Sequence, residues 1–284
     1  MLSFDERLNI LIAAAFKEDI GDGDHSTLSS IPADIKGKAV LKIKQGGLLA
    51  GMAIAEKIFH YKEPTAVFTA HKKDGDTIQF GDVAFEVTAT VHTILQCERL
   101  VLNCMQRMSG IATLTHQYTS KLAGYKTGIL DTRKTTPNFR LLEKEAVRIG
   151  GGINHRMGLY DMIMLKDNHI DYCGGLEKAI ERAWQYVQTV KPGLQIEVET
   201  RSIEDVKRVV AIGKVNRIML DNFTPAQLSD ALKIIDGKYE TEASGGINLE
   251  NIIEYAATGV DYISVGALIH QAKSLDLSLK AVLM

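Results

Sequence analysis

The sequence predicts an α/β protein of two domains, a small antiparallel sheet led by a helix and then six βα units forming an incomplete parallel barrel. Two observations carry this reading. Near Gly37 the apolar period drops from the ~3.6 residues of a helix to the two of a strand. After Gly124 an apolar strand, a polar loop and an amphipathic helix recur six times. Such alternation implies parallel strands joined by right-handed crossovers, and six units instead of eight imply a barrel that is incomplete. A doubly wound open sheet also fits the alternation, but no G-x-G-x-x-G follows the first strand of the series.

Taken in order, Ser3-Phe4-Asp5-Glu6 is a capping box before Leu8, Ile12, Ala15 and Phe16, which predicts a first amphipathic helix. Ala39, Leu41 and Ile43 alternate with Lys42 and Lys44, and further extended runs flank the turn signals Asp74-Gly75 and Gly81-Asp82. A long helix is expected from about Thr93 to Ala123, with Leu95, Leu102, Met105, Met108 and Ile111 on its apolar face. The six strand ends are expected at Asp131-Thr132, Leu165-Lys166, Glu199-Thr200, Leu220-Asp221, Ala243-Ser244 and Val265-Gly266. Helix starts are signalled by Ser202 with Asp205, Thr224-Pro225 with Gln227, and Asn248.

Composition narrows the functional classes. With 45% hydrophobic and 24% charged residues in 284, the chain can bury a large core, and a net charge of -2 gives no global attraction to nucleic acid. No apolar run approaches the ~18 to 20 residues that cross a bilayer, and Asp5 and Glu6 precede the first apolar stretch, so neither a membrane anchor nor a signal peptide is expected. Cys97, Cys104 and Cys173 are odd in number and lack C-x-x-C spacing, which points to a reducing, cytoplasmic setting.

In parallel barrels chemistry sits at the carboxyl ends of strands. Here those ends carry Asp131-Thr132-Arg133-Lys134-Thr135-Thr136, Asn154-His155-Arg156 and Lys166-Asp167-Asn168-His169. Singly, each basic group reads as solvated surface charge; together at strand ends they form a pocket for a substrate with several carboxylates or phosphates. Glu199 and Asp221 end the next two strands, where carboxylates can meet magnesium-bearing pyrophosphate or ribose hydroxyls, whereas Glu197 reads as pairing with neighbouring basic groups. Ser244-Gly245-Gly246 and Val265-Gly266-Ala267 close the series, and their uncovered N–H groups suit a terminal phosphate.

These segments, in this order, resemble the quinolinate phosphoribosyltransferase family. The resemblance runs through Glu18-Asp19 to Gly23-Asp24, Glu98-Arg99 to Asn103, Gln106 to Ala112, Asp131 to Pro137, Gly150 to Leu159, Lys166 to Ile170, Glu197-Val198-Glu199, Leu220 to Phe223 and the two glycine-bearing ends. D-T-R-K-T-T-P, G-G-x-N-H-R-x-G-L-x-D and K-D-N-H-I are its most specific parts. One departure is Asn138-Phe139, where the family usually has Gly-Leu.

The resemblance implies an open α/β sandwich over residues 1–112, a barrel over 113–267, and a segment 268–284 whose last helix returns to the sandwich. It implies conversion of quinolinate and 5-phosphoribosyl 1-pyrophosphate to nicotinate mononucleotide in NAD biosynthesis, with Mg2+ and no organic cofactor. It implies a homodimer, leaving hexamers open, in which Arg99 reaches the partner's active site. Arg133, His155, Arg156 and Lys166 would surround the quinolinate carboxylates, Lys134 and His169 would contact anions, and Thr132 would line the pocket. Glu199 and Asp221 would serve the ribose and its magnesium. Lys134, Lys166, Glu199 and Asp221 are the catalytic candidates, and the glycine-bearing ends the 5-phosphate site. A paralogue acting on another anionic substrate and a non-catalytic binding protein are the competing readings.

Overall fold

The computed structural model describes residues 2–282; Met1, Leu283 and Met284, which the expected spans 1–112 and 268–284 include, lie outside the described residues. The chain runs α1 (Phe4–Ile20), α2 (His25–Ser30), β1 (Lys36–Ile43), β2 (Gly47–Leu48), α3 (Met52–Lys62), β3 (Val67–Ala70), β4 (Thr77–Ile78), β5 (Val83–Thr90) and α4 (Val91–Lys121). It continues through β6 (Gly128–Leu130), α5 (Arg140–Ile149), β7 (Ile163–Leu165), α6 (Asp167–Cys173), α7 (Leu176–Thr189), β8 (Ile196–Thr200) and α8 (Ile203–Ile212). It ends with β9 (Arg217–Asp221), α9 (Pro225–Ile235), β10 (Glu240–Ser244), α10 (Ile252–Ala256), β11 (Tyr262–Ser264), α11 (Ala267–His270) and β12 (Leu277–Val282).

Two compact units result: a sheet unit of residues up to 116, 135–151 and from 268 on, and a barrel unit of 117–134 and 152–267. The stretch 135–151 thus groups with the sheet unit, although the family resemblance placed it in the barrel, because α5 packs on α1. In the sheet unit, strands order β12-β1-β5-β3, all antiparallel, with β2 paired to β4 alongside. The capping box at Ser3 and Glu6 forms, and α1 buries Leu8, Ile12 and Phe16. In α4, Leu102, Met105, Met108 and Ile111 are buried as expected, but Leu95 is exposed.

The returning segment was expected to end in a helix; its last element is instead strand β12, paired antiparallel to β1 with Leu277 opposite Ile43 and Leu279 opposite Leu41. Leu275, Leu277 and Leu279 alternate at the strand period and are all buried. The Gln106-to-Ala112 motif holds this segment. Gln106 Nε2 donates to Leu277 O at 2.9 Å, and a Cβ on Gly110 would stand 2.0 Å from Lys273 O. Arg107 donates to Ile269 O and Ala272 O at 2.8 and 2.7 Å. The same guanidinium donates twice to Glu143 Oε1, at 3.0 and 2.9 Å, and fully buried Glu143 also accepts the Thr136 N–H at 2.8 Å. Asn138, where the family usually has glycine, takes φ 62, a left-handed backbone that asparagine tolerates best after glycine.

In the barrel unit six parallel strands order β6-β11-β10-β9-β8-β7. The two outermost, β6 and β7, are not neighbours, so the barrel is incomplete. The strands end where the sequence predicted, to within two residues. Ser202 and Thr224 cap α8 and α9 through Asp205 N–H and Gln227 N–H. Asn248 instead accepts the N–H groups of Glu250 and Asn251 one turn ahead of α10. Among the described residues no helix is long and apolar enough to cross a membrane. Cys97, Cys104 and Cys173 are free, and burial pushes the Cys97 and Cys104 thiols up to about 12, leaving them inert.

Arg107→Ala strands Glu143 as a buried charge without its guanidinium. Unfolding free energy is expected to fall by about 3 kcal/mol. A urea midpoint unchanged from wild type would show that the pair contributes nothing.

Candidate active site

Strand register assigns the side chains that face the barrel interior. Glu197 lies opposite Arg217, Met219 opposite both Glu199 and Glu242, and Asp221 opposite Ser244. Side chains two apart on a strand share a face, so these residues form tiers. The lowest tier holds Glu197, Arg217 and Glu240, the next Glu199, Met219 and Glu242, and the uppermost, at the carboxyl ends, Asp221 and Ser244.

Two aspartates shape the loops above. Fully buried Asp131 accepts the His155 N–H on Oδ1 at 2.8 Å, and the bridge between Leu130 and Ile153 sets that loop beside β6. Asp161, the last residue of the G-G-x-N-H-R-x-G-L-x-D motif, accepts the N–H groups of Met157 and Gly158 at 2.6 and 3.0 Å. Arg156 is half-buried, with Nη1 donating to Met162 O at 3.3 Å. Burial, and then the nearby charge of Arg133, holds its guanidinium below the ordinary arginine value. Two guanidiniums close enough to repel make a site that an anion relieves. In the same loop Thr132 Oγ1 accepts the Lys134 N–H at 3.1 Å, and Lys134 is exposed.

At the next strand end, Lys166 Nζ stands 3.4 Å from Glu199 Oε2. Lys166 is about half exposed and Glu199 nearly buried, which leaves the ammonium open to an incoming anion. His169 Nδ1 accepts the Lys166 N–H at 3.0 Å, opening α6. Asp221 Oδ2 accepts from Asn222 Nδ2 at 2.6 Å, and Asn222, at φ 58, donates its N–H to Ser244 O. Gly245 and Gly246 both have left-handed backbones, φ 94 and 65, and a Cβ on Gly245 would fall 2.2 Å from Asn222 Oδ1. Gly266 and Ala267 are partly exposed beyond β11, while Val265 is buried. Arg99 is exposed on α4 in the sheet unit.

His155 differs from expectation. It was expected to face a substrate carboxylate, yet its side chain is 5% exposed; below the rim Nδ1 is hydrogen-bonded and Nε2 lies at ion-pair distance from two carboxylates without hydrogen-bond geometry. Nδ1 accepts the Arg156 N–H at 2.7 Å, while Nε2 lies 2.9 Å from Glu197 Oε2 and 3.2 Å from Glu242 Oε2. Burial opposes an imidazolium and the two carboxylates outweigh it, which alone would lift the pKa to about 9. A proton on Nδ1, however, would face the Arg156 N–H, donor against donor. The hydrogen-bond geometry selects the neutral ring with its hydrogen on Nε2. Burial pushes the Glu197 carboxyl up to about 7, and the neighbouring Glu242 charge reinforces the shift.

Two of the residues that organise this site were absent from the sequence reading, Glu242 and Arg217, while Asp161 entered it only as the last letter of a motif. Arg217 donates to Glu240 Oε2 at 2.8 and 3.1 Å, approaches Glu242 Oε2 at 3.4 Å, and lies 4.5 Å from the centre of the Tyr262 ring. The signal available was Glu240-Thr241-Glu242, two carboxylates on one strand face in an otherwise buried β-run. Glu199 and Asp221 end adjacent strands on one face and offer hard oxygen donors to a cation; the trio His155, Glu197 and Glu242 also has ligand atoms within 4.8 Å of one another. A hydrogen on Nε2 removes the lone pair that a metal would need there.

Residues 24–109 match the N-terminal domain of quinolinate phosphoribosyl transferase, and residues 111–280 its C-terminal domain. The chain is 43% identical over 277 residues to a probable carboxylating nicotinate-nucleotide pyrophosphorylase of Bacillus subtilis, covering 98% of this chain and 94% of that one. A chloroplastic nicotinate-nucleotide pyrophosphorylase of Arabidopsis thaliana is 42% identical over 288 residues, covering 96% of this chain and 82% of that one. The crystal structure of NadC from Streptococcus pyogenes superposes with a TM-score of 0.90 at 39% identity, covering 99% of both chains. That of the nicotinate-nucleotide pyrophosphorylase from Francisella tularensis gives 0.89 at 35%, covering 99% of this chain and 98% of that one. With both domains matched and the same fold shared end to end, this chain belongs to the quinolinate phosphoribosyltransferase family.

Proposed function

We propose that this chain is a decarboxylating quinolinate phosphoribosyltransferase of NAD biosynthesis, converting quinolinate and 5-phosphoribosyl 1-pyrophosphate to nicotinate mononucleotide, pyrophosphate and CO2. The observation that carries the reading is Lys166, Glu199 and Asp221 at the carboxyl ends of three adjoining strands, with Arg133 and half-buried Arg156 on the loops above. Arg133, Arg156 and Lys166 would bind the two carboxylates and turn the ring nitrogen toward the anomeric carbon. As pyrophosphate leaves with the C–O bonding pair, the nitrogen lone pair forms the new C–N bond. Glu199 and Asp221 offset the positive charge that develops on the sugar. The ribosylated pyridinium then takes up the electron pair released when the adjacent carboxylate departs as CO2, and a proton replaces it. No organic cofactor is needed for that step.

Glu199 and Asp221 would hold Mg2+ arriving with the sugar pyrophosphate, since both are oxygen donors at adjacent strand ends. Magnesium supplies charge neutralisation for the leaving group. The Gly245-Gly246 and Val265-Gly266-Ala267 segments would take the 5-phosphate on backbone N–H groups. Lys134, on the loop after β6, and His169, in the first turn of α6, lie exposed where an anion would arrive. Arg99, exposed on α4, suits a role in the partner's site of a homodimer. Three unpaired cysteines suit a cytoplasmic setting.

Arg133→Ala and Lys166→Ala are each expected to raise the quinolinate KM by roughly 10- to 100-fold, the loss of one charge-assisted hydrogen bond. Wild-type catalytic efficiency in either variant would show the pocket to be misassigned. Gly245→Ala, blocked by Asn222 and by its left-handed φ, is expected to raise the KM for phosphoribosyl pyrophosphate by about tenfold or more while quinolinate KM changes less. Equal effects on both substrates would contradict the phosphate assignment.

A further inference from the structure

The chemistry at the rim uses neither Glu197 nor Glu242, although both are fully buried in the barrel, Glu197 two residues before Glu199 and Glu242 two before Ser244. A buried carboxylate is costly unless it is paired, so two of them on adjoining tiers of one barrel need a reason. Their shared neighbour is His155, at 2.9 and 3.2 Å. From His155 the contacts lead in one direction: Nδ1 takes the Arg156 N–H at 2.7 Å, while the His155 N–H is itself taken by Asp131 at 2.8 Å. On the other side Arg217 braces Glu242 at 3.4 Å and is fixed by Glu240 and the Tyr262 ring.

We propose that Glu197 and Glu242 are positioning residues that fix the His155 ring from below, so that its Nδ1 holds the Arg156 backbone and sets the Arg156 guanidinium for a substrate carboxylate. The proposal rests on the function given above, in which Arg156 binds quinolinate. It assigns His155 a role as a neutral prop beneath the pocket. A metal centre at the same three residues is disfavoured by two features: the Nε2 hydrogen that follows from Nδ1 accepting an N–H, and the Arg217 guanidinium against Glu242.

The test compares purified wild type with Glu197→Gln, which keeps a polar oxygen beside Nε2, and Glu197→Leu, which removes it. Provided that wild type turns quinolinate over, Glu197→Leu is expected to raise the quinolinate KM by about tenfold or more, with kcat and the KM for phosphoribosyl pyrophosphate within about threefold. Glu197→Gln is expected to stay within about threefold of wild type in all three constants. Folded Glu197→Leu with an unchanged quinolinate KM, or equal losses in all constants for both variants, would overturn the proposal. Inactive wild type would instead overturn the assigned function.

A second measurement depends neither on the Glu197 variants folding nor on turnover. Histidine-15N NMR of wild type at neutral pH, assigned by the signal missing from His155→Gln, is expected to show Nδ1 unprotonated and Nε2 bearing hydrogen. A protonated Nδ1 would break the link to Arg156 and overturn the proposal.

Discussion

Parallel strand direction is the constraint on which the rest of the barrel unit depends. Because β6 to β11 all run the same way, six loops leave one end of the sheet, and residues far apart in sequence meet there. Asp131, Lys166, Glu199, Asp221 and Ser244 need no long-range signal in the chain to converge; each needs only to stand at the end of its own strand. The charge of the site then follows from local sequence. Basic loops lie after the first strands, carboxylates end β8 and β9, and glycines follow β10 and β11.

The barrel departs from the branched apolar filling usual in this architecture. Its interior holds Glu197, Glu242, Arg217 and His155, groups that stabilise a fold poorly unless each finds a partner. Here they find one another, and their geometry is tied by backbone N–H contacts to the loop above. The sheet unit uses the same device at Arg107 and Glu143, where one guanidinium joins α4, α5 and the returning segment. In both units buried ionic contacts tie loops to the elements beneath them.

Much of this was legible in the sequence. Capping boxes at Ser3 and Thr224 and the N-cap at Ser202 form as read, and strand ends fall where polar residues interrupt apolar runs. These features are local, and local rules reach them. The rest was not local. That residues 277–282 form a strand depends on pairing with β1, more than two hundred residues away. That 135–151 groups with the sheet unit depends on the packing of α5 against α1. His155 sits in a loop rich in basic groups, so sequence alone gives it to the substrate; only the register of β8 and β10 shows two carboxylates below, waiting for a ring nitrogen. Asn138 is the converse case, a departure from the family pattern whose left-handed φ makes the substitution a mild one.

The central claim is that the basic loops select a pyridine with two carboxylates for transfer to a sugar phosphate. The most direct measurement mixes purified protein with phosphoribosyl pyrophosphate, magnesium and either quinolinate or nicotinate, and follows nicotinate mononucleotide by chromatography. Product from quinolinate and none from nicotinate is the predicted result. Folded protein that forms no product from quinolinate, or that uses nicotinate equally well, would contradict it.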